Sequence, residues 1–192
     1  MLIKIKFRDF LNSFFKPAVI SLIFAVCAII AGLLLPDEAK GYINAMLVEY
    51  LGGVTFSVWG VFLNNISVAA ILFFGGFLLA IPTVGLGLLN FLILGAMFLR
   101  IAGEFGFLFF VAAVLPHGIF ELPAIWLSMS LGVMLGARVL GIRYIGGDHS
   151  LLETFKSCVL FFLVIIVPLF FIAAVVEVYL TPYFIGMTGF AI

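Results

Sequence analysis

Long apolar runs limit the folds open to this chain more than any other feature of its sequence. A helix that crosses a bilayer needs about 20 mostly apolar residues. Runs close to that length lie at 18–35, 60–81, 84–103, 118–137 and 157–176. Hydrophobic residues make up 66% of the chain and charged residues 9%, which is unlike the composition of a soluble domain. The sequence therefore predicts one all-α membrane domain over residues 1–192, a polytopic bundle of transmembrane helices.

A further apolar stretch, residues 105–115, is too short to cross a bilayer by itself. It follows Glu104 and ends at Pro116. The stretch therefore either re-enters the membrane from one side or forms the first half of a broken helix. We expect about five spans plus this one re-entrant or broken segment, and the distribution of charge favours re-entry.

The positive charges are unevenly distributed between the predicted loops. Because cytoplasmic loops collect Lys and Arg, the N-terminus is predicted to be cytoplasmic, which leaves only Lys40 and Arg100 outside. The cations then placed inside are Lys4, Lys6, Arg8, Lys16, Arg138, Arg143 and Lys156. If residues 105–115 crossed the membrane, the loop at 138–156 would carry its cations outside. The sequence therefore predicts a multi-pass protein of the plasma membrane with a cytoplasmic N-terminus.

Two segments outside the spans have the apolar spacing of helices that lie along a membrane surface. Residues 1–17 are predicted to form a cytoplasmic interfacial amphipathic helix, and residues 37–58 an outer amphipathic segment. The apolar positions of the first are Phe7, Phe10, Leu11, Phe14 and Phe15, and those of the second are Ile43, Met46, Leu47, Tyr50 and Leu51. Either segment could instead pack on the bundle, and the outer one could dock a partner protein.

His117 and Glu121 stand four residues apart in the string PHGIFELPA, within an apolar part of the chain. An ionisable side chain in a membrane span is expensive and is by default a candidate for function. With 100° per residue in a helix, the pair lies within about 60° of the small residues Ser128, Gly132 and Gly136. Because small residues let membrane helices approach closely, the pair is predicted to face protein and not lipid.

Other polar and backbone-shaping residues are expected to complete a functional core around this pair. Asn64 and Asn65 open the second span, and Asn90 is a candidate for an interhelical hydrogen bond. Pro123 either kinks a helix that began at Pro116 or starts a helix of its own. The predicted core consists of His117, Glu121, Asn64, Asn65, Asn90, Pro116, Gly118 and Pro123.

Three roles are open for His117 and Glu121. They could form a hydrogen-bonded pair that fixes their helix against the second span. They could relay protons or bind a substrate. They could also bind a divalent metal ion, although a zinc site usually takes three or four protein ligands. The missing ligands would then come from Glu104, Glu177 or a second copy of the chain.

Three segments of the chain resemble the stage II sporulation protein M family. They are NNISVAAILFFGG at 64–76, the stretch 83–95 with its asparagine, and PHGIFELPAIWLSMSLGVMLG at 116–136. The resemblance implies a bundle of about five spans, and a role beside cell-wall hydrolases in an envelope-remodelling complex, as for the family's named member. Phe91 stands after Asn90 where the family pattern predicts a glycine, so close backbone packing is not expected there.

Familiar enzyme signatures are absent from the sequence. It has no phosphate-binding glycine loop, no His-Glu-x-x-His helix and no Gly-x-Ser-x-Gly elbow. The formal net charge of zero argues against a nucleic-acid partner. Cys27 and Cys158 lie in apolar runs, as is typical of core residues. An intramembrane metal-dependent enzyme would lack an identified nucleophile or a complete metal site.

The sequence therefore predicts a non-catalytic membrane scaffold or assembly subunit of an envelope-associated complex. Small-residue stripes on the spans predict a homodimer, and the other expected partners are the lipid bilayer and envelope proteins. No cofactor is expected apart from the divalent metal that His117 and Glu121 could bind. The alternative function is a small proton-sensitive transporter or channel that uses the same pair.

Overall fold

The computed structural model describes residues 7–52, 56–146 and 149–189, and the regular structure in these ranges is entirely helical. The helices are α1 (Phe7–Leu33), α2 (Asp37–Gly52), α3 (Val58–Phe74), α4 (Ile81–Phe105), α5 (Phe107–Val139), α6 (Arg143–Gly146), α7 (Leu151–Phe161), α8 (Val167–Tyr179) and α9 (Thr181–Gly186). Five helical segments in these ranges are long and apolar enough to cross a membrane. The prediction of an all-α bundle with about five spans is confirmed.

Two irregular turns shape the spans. A 3-10 turn, Gly75–Leu78, lengthens α3, and Leu79 and Ala80 then reverse the chain into α4 with φ angles of 57° and 60°. A π-helical turn, Phe162–Ile166, joins α7 to α8. The fifth span therefore runs without a break from Leu151 to Tyr179.

α5 is the central helix of the bundle. Every residue from 128 to 137 is buried, because α1, α3, α4 and α8 all pack against this helix. Its 33 residues extend about 50 Å at a rise of 1.5 Å per residue. The hydrocarbon core of a bilayer is only about 30 Å thick, so α5 reaches beyond it.

Residues 105–115 do not form a re-entrant segment or a separate half-helix, and that prediction is wrong. Residues 107–115 are the first turns of α5, which continues through Pro116 and Pro123 to Val139. A proline removes one backbone donor, but in a membrane bundle the neighbouring helices satisfy the freed groups. The extra length of α5 therefore accommodates the stretch without another crossing.

The N-terminal amphipathic segment is continuous with the first span, since α1 runs through both. Phe10 and Phe14 are buried, and their ring centroids lie 5.7 and 5.4 Å from that of Phe161 on α7. Two of the predicted apolar positions therefore pack on the bundle, whereas Leu11 and Phe15 are exposed. Residues 1–6 lie outside the described ranges, and the surface position of residues 1–17 stays a prediction.

The outer amphipathic segment contains α2, which packs against α4. Of its predicted apolar positions, Ile43 is half-buried and Met46 is exposed. The side chains of Leu47, Tyr50 and Leu51 lie outside the described part of the chain, and so do residues 53–55. The amphipathic character of residues 37–58 therefore stays a prediction.

The predicted small-residue stripes bring α5 into backbone contact with α3. A Cβ on Gly132 would overlap the carbonyl oxygen of Leu72, and one on Gly76 would overlap the backbone of Gly132. The hydroxyl of Thr83 donates a 2.7 Å hydrogen bond to the same Leu72 carbonyl. Because small residues drive the packing of membrane helices, this contact holds the centre of the bundle. The stripes are used within one chain, and they no longer support the predicted homodimer.

α1 and α4 make a second close crossing. A Cβ on Gly32 would overlap the carbonyl oxygen of Leu92, and one on Gly95 would overlap that of Ile29. Phe91 itself is buried. The expectation that Phe91 prevents close backbone packing is therefore wrong, because α1 reaches the backbone of α4 at the very next residue.

Replacement of Gly132 by Ala should destabilise the bundle, because the new Cβ cannot avoid the Leu72 carbonyl. Overpacked sites typically lose about 1–3 kcal/mol, and we expect a loss of this size in the free energy of unfolding, measured by denaturant titration in detergent. Gly85→Ala is the matched control, since no atom lies within 4 Å of a Cβ at that position. Equal stability of the two variants would contradict the backbone contact.

Candidate functional site

His117, Glu121 and Glu177 come together where α5, α8 and α9 meet, and we call them the His-Glu-Glu centre. One ligand atom from each side chain lies within 4.8 Å of the other two, and all three residues are half-buried. The structure thus joins the predicted pair to the glutamate that the sequence offered as a further ligand. Glu104, the other candidate ligand, is exposed on α4 and does not belong to the cluster.

The buried faces of two helices aim these side chains at one another. On α5, Glu121 precedes Gly132 by three helical turns plus about 20°, so both lie on one face. On α8, Glu177 continues a buried face at helical spacing. The fully buried residues of α8 that precede it are Phe170, Ala173 and Ala174. The packing of apolar residues therefore delivers both carboxylates to the same place.

His117 and Glu121 are close but are not directly hydrogen-bonded. The distance from His117 Nε2 to Glu121 Oε2 is 3.9 Å, whereas a hydrogen bond of this type needs about 2.7–3.2 Å. Their side chains are 17% and 22% exposed, so protein covers most of both. The direct hydrogen bond expected between them is therefore not formed.

The other ring nitrogen of His117 is fixed by a chain of two hydrogen bonds. His117 Nδ1 lies 3.3 Å from Thr181 Oγ1, and the Thr181 hydroxyl donates to the carbonyl oxygen of Val176, also at 3.3 Å. A hydroxyl has one hydrogen to donate, so Thr181 can only accept from the imidazole. This arrangement favours the tautomer with the ring proton on Nδ1. The lone pair of Nε2 then faces the Glu121 carboxylate.

Two of the predicted asparagines donate hydrogen bonds within their own helices. Asn64 Nδ2 donates to Asn65 Oδ1 at 3.2 Å. Asn90 Nδ2 donates to the carbonyl of Leu86 on its own helix at 2.9 Å, so the interhelical bond expected of Asn90 is not formed. α5 carries the remaining predicted core residues, Pro116, Gly118 and Pro123. A functional role for the three asparagines and for these three residues of α5 stays a prediction.

The centre lies near the end of α8, two residues before Tyr179, and about 15 Å from the start of α5. On α5, Glu121 and His117 precede Arg138 by about 25 and 31 Å at 1.5 Å per residue. This separation is close to the thickness of a hydrocarbon core, about 30 Å. Tyr179, which follows Glu177 on α8, is 69% exposed at that end, as in an aromatic belt.

An apolar groove of about 740 Å³ lies between α1, α4 and α5, beside the centre. On α5 its wall includes Gly118, which follows His117 in the chain, and Leu122 and Pro123, which follow Glu121. Apolar side chains and glycines form its whole lining. The groove therefore adds no polar group to the centre and no polar route toward it.

Sequence reasoning named Glu177 only as one of several possible ligands and missed Thr181. The signal for Glu177 was its spacing from the apolar residues of α8, which places it on a face that packs against other helices. Thr181 begins α9 directly after Leu180, beyond the fifth span. Its contact with His117 depends on how α9 folds back on α5, and no local pattern indicates that.

The ring proton of His117 should be found on Nδ1, because Thr181 can accept but not donate there. Nitrogen NMR of the chain labelled with 15N-histidine would show this tautomer directly. The chain has two histidines, so a His149→Asn variant assigns the spectrum. A proton on Nε2, or on both nitrogens, would contradict the assigned hydrogen-bond chain.

Comparison with protein families supports the resemblance seen in the sequence. Residues 20–182 match the family described as Stage II sporulation protein M, and this range contains His117, Glu121, Glu177 and Thr181. No curated protein and no solved structure matches the chain. Since the family match covers most of the sequence and all five apolar helices in whole or in large part, the chain belongs to the stage II sporulation protein M family.

Proposed function

We propose that the chain is an integral membrane scaffold or assembly subunit of an envelope-associated complex in the plasma membrane. In this role the His-Glu-Glu centre fastens α8 and α9 to α5 at the outer membrane boundary. The observation that carries the proposal is the closed core that lies between the centre and the opposite end of the bundle. Such a chain presents a fixed surface to partners and offers no route to a solute.

The core on the inner side of the centre is closed by α5. All residues of this helix from 128 to 137 are buried. The hydroxyls of Ser128 and Ser130 donate to carbonyls of the same helix, those of Ala124 and Trp126, at 2.7 Å. Transport sites in membranes use ionisable or hydrated groups along the path. The packing of α5 therefore favours a scaffold over a transporter or channel.

Helix ends beyond the outer boundary supply a surface for a partner. α5 starts ten residues before His117, so its first turns reach about 15 Å past the centre. There Phe107 and Leu108 are 61% and 74% exposed. On α2, which follows the outer end of α1, Tyr42 and Met46 are exposed as well. Apolar side chains that are exposed outside the hydrocarbon favour contact with an envelope protein.

We also propose that the N-terminus is cytoplasmic. The ammonium group of Lys16 lies 3.4 Å from the centroid of the Tyr144 ring, so the start of α1 and the loop after α5 share one end of the bundle. Arg138 and Arg143 lie beside that loop, and the positive-inside rule places such an end in the cytoplasm. A homodimer also remains a proposal, and its interface would use surfaces other than the small-residue stripes.

Reconstituted in liposomes that contain a pH-sensitive dye, the chain should conduct protons no faster than protein-free liposomes between about pH 5 and 8. The closed core around α5 is the reason. His117→Ala should lower the unfolding temperature, because Thr181 loses its hydrogen-bond partner on α5, and should leave the flux unchanged. A pH-dependent flux that His117→Ala abolishes would establish the transporter instead.

Two exposed tyrosines at opposite ends of the bundle test the orientation. A membrane-impermeant maleimide added to intact cells should label Tyr183→Cys on α9, whereas Tyr144→Cys on α6 should react only after permeabilisation. Both tyrosines are well exposed, at 66% and 77%, so accessibility alone does not separate them. The native Cys27 and Cys158 lie inside spans, and the unaltered chain supplies the background. The reverse labelling pattern would place the N-terminus outside.

A further inference from the structure

We propose that the His-Glu-Glu centre binds one divalent metal ion, Zn²⁺ by the chemistry of its ligands. The ion would join α8 to α5 through His117, Glu121 and Glu177. Its binding follows from the geometry of the centre alone, and its role as a clamp rests on the proposed scaffold function.

The distances in the centre suit ligands of one ion better than partners in a hydrogen bond. Zinc lies about 2.0–2.2 Å from histidine nitrogen and carboxylate oxygen, so two ligands at a tetrahedral angle are about 3.4 Å apart. The Nε2 of His117 and the Oε2 of Glu121 are separated by 3.9 Å, and all three ligand atoms lie within 4.8 Å of one another. Small side-chain rotations would bring them to a common ion.

With both carboxyl groups ionised, the centre brings acceptors together without a donor between them. The hydrogen bond to Thr181 holds the only ring proton of a neutral His117 on Nδ1, so Nε2 presents a lone pair. Glu121 and Glu177 present carboxylate oxygens to the same space. In the described part of the chain, no lysine or arginine forms an ion pair with either carboxylate. Three acceptors in one half-buried place call for a cation.

The surroundings of His117 match those of a metal-binding histidine. Such residues nearly always donate the second ring N–H to a carboxylate, a backbone carbonyl or water, which fixes the tautomer and the orientation of the ring, and a hydroxyl can accept in the same way. Thr181 Oγ1 is that acceptor, and the carbonyl of Val176 in turn fixes the Thr181 hydroxyl. Thr181 is therefore a positioning residue for the proposed ligand.

The ligand set indicates which ions the centre would take. One imidazole and two carboxylates suit zinc and other divalent first-row metals better than calcium, which takes oxygen ligands alone. Three protein ligands leave one position of a tetrahedral zinc ion to water or to an oxygen of a partner molecule. A sporadic surface site would not combine ligands from two helices with a fixed histidine tautomer.

The test is metal binding by the full-length protein in detergent. After removal of metal with a chelator, Zn²⁺ should bind with a stoichiometry of about one ion per chain, measured by competition with a coloured chelator and by elemental analysis. Glu177→Gln and His117→Ala should weaken binding at least 100-fold, because loss of a direct ligand should exceed the 10–100-fold loss typical of second-shell changes. Glu104→Gln, an exposed glutamate at the same end of the bundle, should bind as the unaltered chain does.

Thr181 provides a second pair of variants. Thr181→Val should weaken Zn²⁺ binding about 10–100-fold, as loss of an outer hydrogen bond does elsewhere, and Thr181→Ser should restore it. A cooperative thermal unfolding transition without metal shows whether each variant is folded. Addition of Zn²⁺ should raise the transition temperature of the unaltered chain and not that of Glu177→Gln. Equal Zn²⁺ binding by the unaltered chain and Glu177→Gln, or no binding by either, would overturn the proposal.

The two proposals fail separately. Specific Zn²⁺ binding together with a proton flux in liposomes would overturn the scaffold and retain the metal site. Absence of both Zn²⁺ binding and flux would overturn the metal site and retain the scaffold.

Discussion

The backbone contact between α5 and α3 is the interaction on which the rest of the structure depends. In hydrocarbon, helices gain little by hiding apolar side chains from one another, so close packing must orient them. Gly132 can approach the Leu72 carbonyl with only one rotation of α5 about its axis. His117 and Glu121 lie on nearly the same face, a few turns away, so this rotation also decides where they point. A contact without any functional group thus positions the polar centre.

The π-helical turn in the fifth span gives α8 its matching rotation. Buried residues of this span recur every four positions, at Thr154, Cys158, Phe162, Ile166 and Phe170. In an α-helix each step of four moves a side chain about 40° around the axis, so the row would wind away from the bundle. The wider turn at Phe162–Ile166 takes up the extra residue and returns the row to its face. Glu177 follows from there at ordinary helical spacing.

Local patterns in the sequence are enough to predict the spans, the small-residue faces and two of the three ionisable groups of the centre. They misplace residues 107–115, because prolines usually end helices in water, whereas α5 continues through Pro116 and Pro123. Glu177 stays one option among several, since its place depends on the rotation of α8. The 3.9 Å gap between His117 and Glu121 is likewise a product of tertiary packing, and helical spacing alone suggests a direct bond.

The proposed position of the centre at a membrane boundary explains how two carboxylates can share one site in a membrane protein. A charged side chain at the middle of a bilayer costs about 3 kcal/mol on insertion scales, and water and head groups reduce this cost near the boundary. Along α5 the buried stretch 128–137 is separate from His117 and Glu121. Because the centre joins α8 and α9 to α5 away from this stretch, a change there should alter the surface of the bundle without opening its core. This arrangement favours control of assembly at the membrane surface over passage through the membrane.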